Sequence, residues 1–164
     1  MVFDDILSGF HILKAINSIH GLYYCAKSIT NLQKYEKNTE KAAEYSDTVA
    51  EELRKTRTTQ ASALIATIFS LGASLYLSAT RLRPPRSPWP DLALNAANIA
   101  LLYGARVYVN GYWKAKAKVP FVTGYNEAIS STQNIITILD RSWKAWLGTL
   151  MWTGVVAVAS WLRL

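Results

Sequence analysis

A few side chains in this chain are of a type that does chemistry and sit where it would matter. His11 and Lys14 stand three residues apart, which puts them on one side of a helix. An imidazole beside an ammonium can handle a proton or bind an anion. The plainer reading is an interfacial pair with Lys14 reaching toward the headgroups. Arg106 is flanked one helical turn away by Tyr103 and Asn110, with Asn98 and Asn95 further along. Together they would line a polar cavity, or else Arg106 snorkels and the asparagines join helices. Glu127 and Asp140 are carboxylates placed near apolar segments. With its pKa raised by burial, either would be a general acid able to protonate an alkene or epoxide. A solvated helix surface explains both equally well.

Other chemistries find no support. His11 and His20 are the only histidines, and nine residues of helix turn them to opposite sides, so they cannot share a metal. The lone cysteine, Cys25, excludes an internal disulfide and a cysteine metal cluster. GxGxxG, GxxxxGK[ST], HExxH and GxSxG do not occur. Neither a metal nor a cofactor is expected. A net charge of +7 invites a nucleic-acid reading, but the aromatics do not interleave with the lysines, so no nucleic-acid partner is expected.

What must position these residues is a set of apolar helices. The stretches 61–80 and 145–162 carry no charged residue, each close to the ~20 residues that cross a hydrocarbon layer as a helix. Two weaker segments accompany them. Residues 91–110 contain Asn95, Asn98 and Arg106, and the flanking Trp89 and Trp113 suit two interfacial aromatic belts. Residues 6–26 divide into a polar stripe of Ser8, His11, Lys14, Ser18 and Cys25 and an apolar one of Ile12, Ile16, Ile19 and Tyr23. This segment is either a span whose polar stripe faces other helices or an amphipathic helix lying in the interface.

The expectation is an all-α, four-span membrane bundle in one domain, with spans near 6–26, 61–80, 91–110 and 143–163. Polar connections at 27–60 and 111–142 would form helical extensions. Between the middle spans lies RLRPPRSPWPD, 81–91, whose Pro84 and Pro85 end one helix and force a tight turn. The acidic start MVFDD predicts no cleaved leader. Twelve lysines and arginines fall on the side of the long connections and four on the other, which predicts cytosolic connections. Lys114 to Lys118, KAKAK, would meet anionic headgroups. Gly72 and Gly148 lie mid-span among small residues and are expected to let helices approach closely, in a compact bundle or against a partner helix.

The partners to expect are the lipid bilayer, a membrane-protein partner or a second copy, and a hydrophobic small molecule. Function divides accordingly. One reading is a subunit or adaptor of a membrane complex. The other is a small membrane enzyme acting by acid/base chemistry on a lipid, terpenoid or similar compound.

Overall fold

A computed structural model describes residues 2–43, 46–81, 87–118 and 123–162. The described residues form four helices and no strand: α1 Val2–Ala43, α2 Asp47–Arg81, α3 Trp89–Trp113 and α4 Thr123–Trp161. The fold is all-α, as the sequence predicts. No proline and no isolated turn signal interrupts residues 27–43, so α1 runs unbroken for about 63 Å at 1.5 Å per residue. The long polar connections are therefore continuations of the apolar helices. Pro90 sits in the first turn of α3, where its missing N–H costs no hydrogen bond. The turn itself, with Arg83 and Arg86, lies outside the described residues.

Each helix packs against its two chain neighbours in a closed ring, α1 against α2 and α4, and α3 against α2 and α4. All four contacts are antiparallel. Ser8 meets Ser78 and Ser18 meets Ser70 across α1 and α2, while Asn95 meets Thr149 and Arg106 meets Asp140 across α3 and α4.

The buried positions follow a repeat of alternating threes and fours. On α1 it runs Leu7, His11, Lys14, Ser18, Gly21, Cys25, Ser28, Leu32, and on α2 Thr56, Thr59, Ala63, Ala66, Ser70, Ala73, Leu77. On α4 it includes Ser142, Trp146, Thr149 and Thr153. This is the 3.5-residue spacing of a left-handed helical bundle. What is unusual is its content, for much of the seam is small or polar, mixed with larger apolar residues such as Leu32, Leu77, Leu102, Ile135 and Leu139. The outward positions are the apolar ones: Ile12, Ile16 and Ile19 on α1, Ile65 and Ile68 on α2, Val155 and Val158 on α4. The two stripes read from residues 6–26 are thus separated as expected, with the polar stripe facing the other helices.

Among the described residues, two helices are long and apolar enough to cross a membrane by length and composition, Asp47–Thr80 and Trp89–Trp113. The expected four spans do not follow from that standard alone. α1 misses it because His11, Lys14, Asn17 and His20 interrupt its apolar stretch, and α4 misses it because Lys144 and the tryptophans, threonines, glycines and Ser160 dilute its apolar end.

Two expectations about individual residues are corrected. Trp113 does not belong to an interfacial belt. It is fully buried, its indole N–H donating to Thr59 Oγ1 at 2.9 Å, because α1, α2 and α4 continue past the end of α3 and enclose its last turn. Trp89, at the opposite end, is exposed. Within the chain's own bundle Gly72 and Gly148 are not points of close approach, since an added Cβ would meet nothing within 4 Å at either position. That role falls to Gly21, where a Cβ would lie 3.0 Å from Thr67 Cγ2 and 3.2 Å from Ile138 Cγ2.

Candidate functional site

The seam positions at the middle of the apolar zone bring side chains from all four helices together. Lys14 on α1 is buried and donates from Nζ to Thr149 Oγ1 at 3.0 Å. Its ammonium also lies 3.6 Å from the centroid of the Trp146 ring, close enough for a cation–π contact in a dry setting. Thr149 in turn donates to Asn95 Oδ1 on α3 at 2.7 Å. The Trp146 indole N–H donates to Ser70 Oγ on α2 at 3.0 Å, and Ser70 Oγ also accepts from Ser18 Oγ at 3.1 Å. His11 packs its ring against Trp146 at 5.9 Å between centroids. One lysine, one histidine, one indole and four small hydroxyl or amide groups thus form a connected polar cluster inside an apolar zone.

A cavity of about 510 Å³ opens beside this cluster, between α1 and α4. Ile6, Leu7, Phe10 and Trp152 form its apolar wall, and Lys14 and Thr149 reach its inner end. Gly148, whose missing side chain leaves open space, forms part of its floor.

Of the residues singled out from the sequence, His11, Lys14 and Asn98 are buried in the seam. Asn98 donates back to Leu94 O at 2.9 Å within its own helix, and its Oδ1 has no hydrogen-bond partner among the described residues. Arg106 lies elsewhere, on the α3–α4 flank, with Nε 3.4 Å from Asp140 Oδ1. It does not converge with His11 on one cavity. Asp140 also binds Lys144, and it accepts from the Trp143 indole N–H at 3.2 Å. Glu127 is exposed on the first turns of α4. Within KAKAK, Lys116 folds back to pair with Glu52 and lies 4.5 Å from the Tyr112 ring centroid, while Lys114 and Lys118 are exposed. Among the described residues no group of three metal-ligating side chains gathers.

The hydrogen bond from Lys144, followed by that from Trp143 and the charge of Arg106, holds the Asp140 carboxyl below its ordinary value. A general acid needs the opposite shift. The sign fixes a pH dependence. A depressed carboxylate contributes stability above the unfolded pKa of about 3.9, and that contribution disappears as pH falls through the lower folded value. Thermal melts should therefore be flat in this respect above about pH 5 and fall on acidification below about pH 4. Asp140→Asn should flatten that acid limb, and an identical limb in the variant would count against the assignment.

Thr149, Trp146 and Ser70 were not singled out from the sequence. The signal that marks Trp146 and Thr149 is the four-three-four spacing of Ser142, Trp146, Thr149 and Thr153, and Ser70 falls in the matching spacing of Ala63, Ala66, Ser70 and Ala73. The chain matches no protein-family model, no curated protein and no solved structure.

Proposed function

We propose that the chain is a four-span integral membrane protein serving as a non-enzymatic subunit or adaptor of a membrane complex. The observation that carries the membrane part is the inverted distribution of side chains. Through the apolar zone Ser, Thr, Asn, His and Lys share the seam with alanines and a few large apolar side chains such as Leu77, Leu102 and Trp146, while large apolar residues such as Ile12, Ile16, Ile65, Ile68, Leu101, Val107, Val155 and Val158 face outward. Water would expel such a belt, whereas lipid accepts it and leaves hydrogen bonds and close packing to hold the helices together. On α1 the outward apolar residues run from Ile6 to Tyr23, about 26 Å of helix, near the ~30 Å of a bilayer's hydrocarbon core.

The adaptor part rests on what lies beyond the belt. α1, α2 and α4 project past the last turn of α3; Glu36 on α1 pairs with Arg57 on α2 at 3.1 Å, and Glu52 on α2 pairs with Lys116 just beyond α3. A stiff charged platform beside a membrane suits docking to a protein partner. It is assigned to the cytosol by the excess of Lys and Arg on that side. The two carboxylates weighed as acids support the same reading, since Glu127 is exposed and Asp140 is held ionised by its partners.

Cysteine scanning tests the topology. Cys25 is fully buried and is expected not to react. In sealed vesicles of known sidedness, an impermeant maleimide should label Ser46→Cys and Lys114→Cys from the cytosolic face only. Ser87→Cys and Leu162→Cys should be labelled from the opposite face only. Labelling of all four from one face would end the four-span reading. Gentle solubilisation followed by a mass measurement tests the adaptor role separately. A stoichiometric protein partner is expected, and a lone chain retaining full membrane function would remove it.

A further inference from the structure

The geometry points to a binding site for one anionic phospholipid in the groove between α2 and α3, its phosphate held by Arg54 and Lys55 and an acyl chain lying along α3. This goes beyond the adaptor reading and does not depend on it; it does rest on the four-span reading of the belt. A cavity of about 530 Å³ opens between the two helices, with Arg54, Lys55 and Thr58 on one wall and Val107, Tyr108 and Gly111 on the other. The charged side chains that line it are both cationic. Arg54 is exposed, and its planar guanidinium can meet two phosphate oxygens at once. Lys55 pairs with Glu51 one turn away at 2.7 Å, with both partners about half exposed. Water and salt weaken such a pair, and an ammonium has three donors, so a phosphate can share it. Glu52, the other nearby carboxylate, is held by Lys116 and the Tyr112 hydroxyl.

The depth of the groove assigns the phosphate to a lipid. Thr58 Oγ1 and the Tyr108 hydroxyl stand 2.8 Å apart, which fixes the level of α2 against α3. Val107 and Tyr108 are the last large apolar side chains that α3 turns outward, so the edge of the hydrocarbon falls at that level. Arg54 stands one turn beyond Thr58, about 6 Å along the axis, inside the headgroup layer of about 5–8 Å that flanks the hydrocarbon. Toward the middle of the membrane, Gly104 lies two turns from Gly111 on the same side of α3, with Val107 between them. An added Cβ at either glycine would meet nothing within 4 Å. That leaves a channel about 10 Å long in which a methylene chain can lie close to the backbone. Cations at headgroup depth followed by an open apolar channel are in the order of a phospholipid, head and then chain.

The test uses the full chain in a neutral maltoside detergent, titrated with phosphatidylglycerol and separately with phosphatidylcholine, bound lipid being counted by native mass spectrometry. One phosphatidylglycerol per chain is expected at saturation, bound about tenfold or more tightly than phosphatidylcholine. Arg54→Gln combined with Lys55→Gln should bring the two lipids to equal affinity. Lys27→Gln combined with Lys34→Gln removes the same charge from exposed positions of α1 and should leave the preference intact. Gly111→Leu should weaken binding of both lipids, and since its side chain enters open space the fold should survive. Equal binding of the two lipids by the parent chain, a preference that survives the α2 substitutions, an equal loss in the α1 pair, or unchanged affinity in Gly111→Leu would overturn the site. Glycerol 3-phosphate that displaces the lipid at equal concentration would overturn the lipid assignment in favour of a soluble phosphate compound. Lipid preference that fails while the cysteine labelling holds strikes the site alone, whereas labelling that fails strikes the four-span reading whatever the lipid does.

Discussion

Trp146→Ala is expected to be the most damaging single truncation in the protein, lowering stability by about 3–5 kcal/mol. Three separate losses add at that position. The indole is fully buried, so its removal leaves a cavity the size of a bicyclic ring in the middle of the bundle. Its N–H is the donor that ties α4 to Ser70 on α2, across the diagonal of the ring of helices. Its face is also the surface on which the Lys14 ammonium rests, 3.6 Å away, with His11 against it. Removing a cation's partner inside an apolar zone costs more than removing an ordinary contact. For a chain of this length the expected drop in Tm is on the order of 10 °C. Trp146→Phe separates the terms by keeping a ring under Lys14 while deleting the donor to Ser70, and interhelical hydrogen bonds in bundles of this kind average about 0.6 kcal/mol. Trp152→Ala, on the partly exposed outer face, should cost far less. Melts in detergent of equal depth for Trp146→Ala and Trp152→Ala would contradict the placement of Trp146 as the centre of the seam.

Gly21→Leu should be the second large effect, and its sign is set by distances. A Cβ there stands 3.0 Å from Thr67 Cγ2 and 3.2 Å from Ile138 Cγ2, so α1 would have to leave α2 and α4 at once. Thr67 cannot easily give way, because its hydroxyl is bonded to Ala63 O at 2.7 Å within α2. Overpacking of this kind costs about 1–3 kcal/mol before any helix moves, and a leucine adds three more carbons beyond the Cβ. Gly72→Leu and Gly148→Leu place the same side chain in open space and should melt within about 0.5 kcal/mol of the parent. Thermal melts of the three variants side by side decide the matter. Equal destabilisation by all three would contradict the placement of close approach at Gly21, since the gain in helix propensity from Gly to Leu is the same at each position.

Much of the fold was readable before any coordinates, and what was missed has a physical cause. The division of residues 6–26 into polar and apolar stripes rests on helical geometry alone, and every residue of the two stripes lies on the side expected. The unbroken helices through 27–43 and 47–60 follow from composition, being rich in good helix formers and free of proline and glycine. Trp113 was misread because an aromatic at the end of an apolar segment is ordinarily interfacial. Only the unequal lengths of the helices, 25 residues in α3 against 39 in α4, put it inside. Inside the bundle, smallness at Gly72 and Gly148 does not mean closeness. Which face a glycine occupies decides, and Gly21 is on the seam where they are not. The polar cluster was half legible: Lys14 and His11 stood out by charge, whereas Ser70, Thr149 and Trp146 are unremarkable singly and are marked only by spacing. Their partners lie 52 to 135 residues away in sequence, a separation that local pattern does not report.

The inverted seam has a consequence for how such a chain can change over time. Outward positions such as Ile12, Val155 and Val158 need only be oily, so any one may be exchanged for another aliphatic residue without loss of cohesion. Information about the fold is concentrated instead in a few dozen letters of low hydropathy, the serines, threonines, alanines and the glycine at alternating threes and fours. Two descendants of one ancestor could therefore share little overall spelling while keeping that rhythm intact. Kinship for this architecture would be written in the hydroxyls, with the grease around them free to drift.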